Sequence, residues 1–176
     1  VSRAQPALLP EGGPAVSTGT QAAPSQEPIT DPVAHWTGPS VDTLAVFCSD
    51  GRFKQMTDQF LKEGLKVPNC DVFAVPGGPG WLTVGMFNYK ECDVAARWLG
   101  TLIQAHGLKR AVLIAHEDCA FYKGKCKGAS LQEIQKQQLT DLHAAKDRVE
   151  RLALGVQVEL YYADIVDDHV TFKRVK

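Results

Sequence analysis

The chain has 176 residues, 44% of them apolar and 22% charged, with a formal net charge of -1. That length and apolar content suffice for one domain with a substantial core; the near-neutral balance argues against a nucleic-acid or anionic-membrane partner, and no apolar run approaches the roughly 20 residues that span a bilayer. Five cysteines are an odd number without the dense spacing of a secreted disulfide scaffold, so a reducing, cytoplasmic compartment is expected.

Residues 1–40 hold seven of the ten prolines and only four charges, Arg3, Glu11, Glu27 and Asp31. They show neither helical nor alternating apolar spacing. This predicts a proline-rich extended arm ahead of a domain over 41–176, with Ile29, Val33 and Trp36 as anchors if the arm packs on a neighbouring subunit. Val41–Phe47 is an apolar run of strand type, and Phe53–Lys66 has helical apolar spacing at Phe53, Met56, Phe60, Leu61 and Leu65, ending at Gly64 and Pro68. Asp71–Val75 is a short second strand that runs into Pro76-Gly-Gly-Pro-Gly80, a turn only glycine-rich backbone tolerates. It lacks the Gly-Lys-[Ser/Thr] ending of a phosphate-binding loop.

Asn88–His106 reads as a long helix with Val94, Ala95, Trp98, Leu99, Leu102 and Ile103 on its apolar side and Gly107 placed to close it. Ala111–Ala115 is a third strand. Phe121–Gly128 reads as a basic loop carrying Lys123, Lys125 and Lys127. Ser130-Leu-Gln-Glu133 is a capping-box pattern that predicts a helix from there to about Leu154. Val156–Tyr162 and Val170–Val175 close the chain as strands joined by Asp167-Asp168. Strands alternating with helices predict an α/β fold, a mostly parallel central sheet with helices on both faces and an added strand.

Two strands end in metal-binding side chains. The first runs into Cys48-Ser-Asp50-Gly-Arg52 and the third into His116-Glu-Asp-Cys119. Ligands of open α/β sheets bind at the carboxyl ends of strands, so the two ends suggest one shared site. A catalytic zinc takes three protein ligands plus water, and Cys48, His116 and Cys119 supply that set. Two thiolates leave a weaker Lewis acid, which still suffices to bring the pKa of bound water to about 7–8. Arg52, two residues from Asp50, can hold that carboxylate by two parallel hydrogen bonds. So held, Asp50 would accept a proton from zinc-bound water; released, it could swing in as a fourth ligand. Asp50 could also simply cap the helix that follows it.

Cys48-x-Asp50-x-Arg52 followed by His116-x-x-Cys119 resembles the zinc signature of the β-class carbonic anhydrases, and the likeness in strand-helix order extends from about Val41 to Val175. The resemblance implies a parallel sheet with an added antiparallel strand, a homodimer or larger assembly, zinc on Cys48, His116 and Cys119, and Asp50 and Arg52 as the catalytic dyad. The implied reaction is reversible hydration of carbon dioxide to bicarbonate and a proton by zinc-bound hydroxide. The chain departs from the family where members carry an Arg-Asn-Ala-Gly-Asn run, which here is Pro76–Gly80, and where the last ligand is followed by glycine, which here is Ala120. Two other readings stand beside it: a hydrolase of carbon disulfide or carbonyl sulfide on the same fold, and an inactive zinc-binding relative. Cys126 reads as a free thiol, and Cys70 and Cys92 as packing residues. His35, His106, His143 and His169 read as surface or packing residues. Phe53, Phe87 and Tyr122 read as walls of an apolar pocket or as plain core. No C-x-x-C pair supports redox chemistry.

Overall fold

The computed structural model describes residues 38–83 and 89–176. The arm with Ile29, Val33, His35 and Trp36, and the positions of Phe87 and Asn88, lie outside the described residues.

Five strands form one sheet: β1 (Thr43–Cys48), β2 (Asp71–Val75), β3 (Arg110–His116), β4 (Gln157–Val166) and β5 (His169–Val175). Their order is β2-β1-β3-β4-β5, with every pairing parallel except the antiparallel β4–β5 edge. This is the α/β sheet expected from the alternation of elements. β1 and β3 have neighbours on both sides and helices over both faces, so their sequences are apolar throughout rather than alternating. Leu44, Ala45, Val46, Ala111, Val112 and Leu113 are all fully buried.

Among the described residues four α-helices flank the sheet: α1 (Gly51–Gln59), α2 (Tyr89–His106), α3 (Ala120–Lys125) and α4 (Leu131–Leu152). Side chains of a strand point alternately to opposite faces. Leu44 and Val46 therefore pack with Ala95 and Leu99 of α2 and Leu142 and Ala145 of α4, while Ala45 and Phe47 pack on the other face with Leu61, just past α1. The capping box forms as predicted: the Ser130 hydroxyl accepts from the Glu133 N–H at 3.3 Å, and the Glu133 carboxylate accepts from the Ser130 N–H at 2.7 Å. No helix among the described residues is long and apolar enough to cross a membrane.

Two local expectations need correction. The single helix expected over Phe53–Lys66 is α-helical only to Gln59 and continues as a π turn over Phe60–Gly64, closed by the Leu65 N–H on the Phe60 carbonyl at 2.9 Å. The wider turn lets Phe60 stack on Phe172 of β5 with ring centroids 4.2 Å apart, a contact no local pattern encodes. The basic loop expected at Phe121–Gly128 is instead helical over Ala120–Lys125. Its buried Tyr122 donates to Asp141 of α4 at 2.8 Å, and this tertiary anchor overrides a weak intrinsic preference.

The turn after β2 lies directly against β1. Gly77 and Gly78 have φ of 79° and 51°, and a Cβ on Gly78 would stand 2.7 Å from both the Cys48 amide nitrogen and the Phe47 carbonyl carbon. Those are backbone atoms of a buried strand and cannot yield. Gly78→Ala is expected to cost about 1–3 kcal/mol or more. Gly100, inside α2, has open space around its missing side chain, so Gly100→Ala is expected to stabilise by about 0.4–1 kcal/mol. Denaturant unfolding of the two variants beside the parent checks the opposite signs.

Candidate metal centre

Parallel pairing of β1 and β3 brings their carboxyl ends to the same rim of the sheet. Cys48 is the last residue of β1, His116 the last of β3, and Cys119 the residue before α3. One ligand atom from each lies within 4.8 Å of the others, so the three could hold a metal ion. The tight turn at Glu117-Asp118 brings Cys119 back beside His116, with Asp118 in the left-handed region at φ 60°.

The surrounding groups hold these side chains in place. His116 Nδ1 lies 2.7 Å from the Glu117 carbonyl, which fixes Nδ1 as the donor. Nε2 is left buried and without a partner among the described residues. A buried ring nitrogen without a partner costs free energy unless something accepts its lone pair. The Phe53 ring packs on the imidazole at 4.1 Å. Gln138 of α4 donates to the His116 carbonyl at 2.9 Å and accepts from the Tyr162 hydroxyl at 3.0 Å, tying the end of β3 to α4 and to the neighbouring strand β4.

The two sulfurs are 3.8 Å apart, and the Gly77 N–H donates to Cys48 Sγ at 3.2 Å. The Cys119 thiol first, then the neighbouring His116 side chain and the backbone N–H groups of Gly77 and Asp50, hold the Cys48 thiol down to about 4 against the effect of burial. Cys119 is pushed up because its proton is the one shared with the Cys48 thiolate and because it is buried. The pair thus keeps one proton between two sulfurs, and a bound cation would let both ionise. Two thiolates and a free imidazole nitrogen form the donor set zinc prefers.

Beside the cluster, Asp50 and Arg52 pair. Arg52 Nη2 donates to Asp50 Oδ2 at 2.6 Å, and Nε reaches Oδ1 at 3.0 Å. The Asp50 carboxylate also accepts from the Arg52 backbone N–H at 3.0 Å, so it caps α1 as well as pairing with the guanidinium. These hydrogen bonds, the side-chain ones foremost, lower its carboxyl to about 2. On its far side Arg52 meets Asp118, whose carboxylate accepts from Nη1 at 2.7 Å and is also held by Lys123.

Local sequence gives Asp118, Gln138 and the Gly77 N–H no place in the site, and marks Lys123 only as part of a basic stretch. Asp118 was visible within the His-x-x-Cys spacing, but nothing local signals that it turns towards Arg52. Tyr122 is 2% exposed and bonded to Asp141, so it is a buried strut of α3 and not an open wall. Cys92 is buried, Cys70 packs beneath the sheet face covered by α1, and half-buried Cys126 packs behind Cys119 outside the ligand group. His106 is exposed and pairs with Asp71; His143 and His169 are exposed.

A family model described as "Putative carbonic anhydrase" matches residues 40–176. No curated protein sequence matches the chain significantly. Among solved structures, the carbonic anhydrase of Streptococcus mutans is similar over 82% of this chain and 88% of its own, at 14% identity and a TM-score of 0.54, which shows a common fold. β-Carbonic anhydrase isoform I of Trichomonas vaginalis is 14% identical over 81% of this chain and 87% of its own, with a TM-score of 0.49.

Proposed function

The chain is a divergent member of the β-carbonic anhydrase family, and from that membership we propose that it is a zinc enzyme for the reversible hydration of carbon dioxide to bicarbonate and a proton. The observation that carries the reading is the meeting of Cys48, His116 and Cys119 at one rim beside an Asp50 carboxylate turned onto Arg52. Cys48, His116 and Cys119 would hold the zinc, which when bound supplies a Lewis acid able to make water a nucleophile near neutral pH.

The chain's own residues do the rest. The Glu117 carbonyl on Nδ1 presents Nε2 of His116 as the ligand atom. Arg52 keeps Asp50 ionised, so Asp50 serves as an acceptor and takes a hydrogen bond from the reacting water, orienting that water towards carbon dioxide. Phe53, buried against the His116 ring, gives the imidazole an apolar backing that helps hold its orientation. The Pro76–Gly80 turn, where the chain departs from its family, supports this reading too, because its Gly77 N–H bonds to a ligand sulfur.

Stopped-flow hydration of carbon dioxide, with zinc quantified on the same sample, tests the proposal. Activity proportional to zinc content is expected. Sulfide release from carbon disulfide or carbonyl sulfide without hydration would move the chain to the hydrolase reading, and full zinc with neither activity would make it an inactive relative.

A further inference from the structure

Asp118 sits between two candidate ligands yet is not one of the group. Its left-handed backbone, uncommon for a residue with a side chain, aims it across to the other ligand-bearing segment, 66 positions away in sequence. There it meets Arg52 twice: Oδ2 accepts from Nη1 at 2.7 Å, and the backbone carbonyl accepts from Nη2 at 3.2 Å. Lys123, one turn into α3, holds the other carboxylate oxygen. Arg52 is therefore gripped from both sides, by Asp50 through Nε and Nη2 and by Asp118 through Nη1 and Nη2.

The second grip matters because the Arg52 side chain is 58% exposed. A single exposed ion pair is worth little and does not hold a long side chain in one rotamer, whereas a network of several charges does so better. Asp50 is confined by its cap bond to the Arg52 N–H and by the guanidinium. If the guanidinium swung away, only the cap bond would restrain the carboxylate from turning towards the ligand group.

We infer that Asp118 is a positioning residue: it clamps Arg52 from the ligand loop and, through Arg52, keeps the Asp50 carboxylate turned away from the metal position. The clamp stands on geometry alone, while its effect on turnover rests on the function proposed above. Asp118 has no contact with the reacting atoms in this scheme and acts only through Arg52.

Asp118→Gly tests it, since glycine keeps the left-handed turn while removing the carboxylate. Three readouts on the zinc-loaded protein decide: zinc content, the Arg52 Nε–H signal in proton–nitrogen NMR (assigned by its loss in Arg52→Lys), and kcat in a double-mutant cycle with Arg52→Ala. Expected are parental zinc content, a broadened or missing Arg52 signal, and a kcat lowered about tenfold or more with KM nearly unchanged. Arg52→Ala should then add little further loss, because the two residues act as one unit. An unchanged Arg52 signal, additive kcat losses, or loss of zinc in Asp118→Gly would each overturn the inference, the last because it would mark a merely structural role in the loop. If the parent protein hydrates no carbon dioxide, the proposed activity fails, and the Arg52 signal still decides the clamp.

Discussion

Replacing Cys48 or Cys119 by alanine is expected to strip the protein of most of its zinc, and with it all but background hydration activity. Each change removes one of three donors from a cluster that lies within 4.8 Å. Losing even an outer-shell partner of a metal ligand costs about 10- to 100-fold in affinity, so losing a ligand should cost more. The cysteines are expected to behave alike although their surroundings differ, since neither sulfur is spare. Elemental analysis after gel filtration, with competition against a chromophoric chelator, gives the affinity; zinc at parental stoichiometry in either variant would remove that cysteine from the site. The sign of the pH dependence follows from the shared proton. With Cys48 held down to about 4 and Cys119 pushed up, zinc must displace the proton on the sulfur pair. Apparent zinc affinity in the parent should therefore rise with pH across the neutral range.

Asp50→Asn is expected to keep zinc and lose activity by about 10²- to 10³-fold in kcat, the range for removing one preorganised hydrogen-bonding group. Asparagine is nearly the same size and caps helices about as well as aspartate, so the start of α1 is spared. What disappears is the charge that pairs with Arg52 and, with it, the charged acceptor for the reacting water. The parent should show no ionisation of Asp50 anywhere in the neutral range, because its carboxyl is lowered from 3.8 to about 2. The corresponding stabilisation is complete above the unfolded-state value near 4 and is lost as pH falls through 2. Asp50→Asn has no such ionisation, so its unfolding free energy should vary less with pH below about 4 than the parent's. Zinc-replete Asp50→Asn with parental kcat would remove Asp50 from the mechanism and leave it as a helix cap.

The two variants separate what a bound metal needs from what the reaction needs. In the proposed function the cysteines belong to the first and Asp50 to the second, and Asp118 acts one step behind Asp50. Gly78 lies further back still: it lets the turn pass close enough to β1 for the neighbouring Gly77 N–H to reach Cys48. A glycine-rich stretch that looks like a departure from a family pattern is thus part of the wall behind a candidate ligand.

The sequence by itself determined the α/β alternation, the strands whose ends carry Cys48, His116 and Cys119, and the start of α4. These follow from short-range rules: unbroken apolar runs fit strands buried on both faces, and Ser130 with Glu133 satisfies the first turn of its own helix. Only the tertiary structure decided that α3 is helical, that the first helix widens at Phe60, and that Asp118 turns to Arg52. Each depends on a partner remote in sequence — Asp141 for Tyr122, Phe172 for Phe60, the β1–α1 junction for Asp118. Such contacts form only once parallel strands have set their ends side by side, and no local spacing of residues records them.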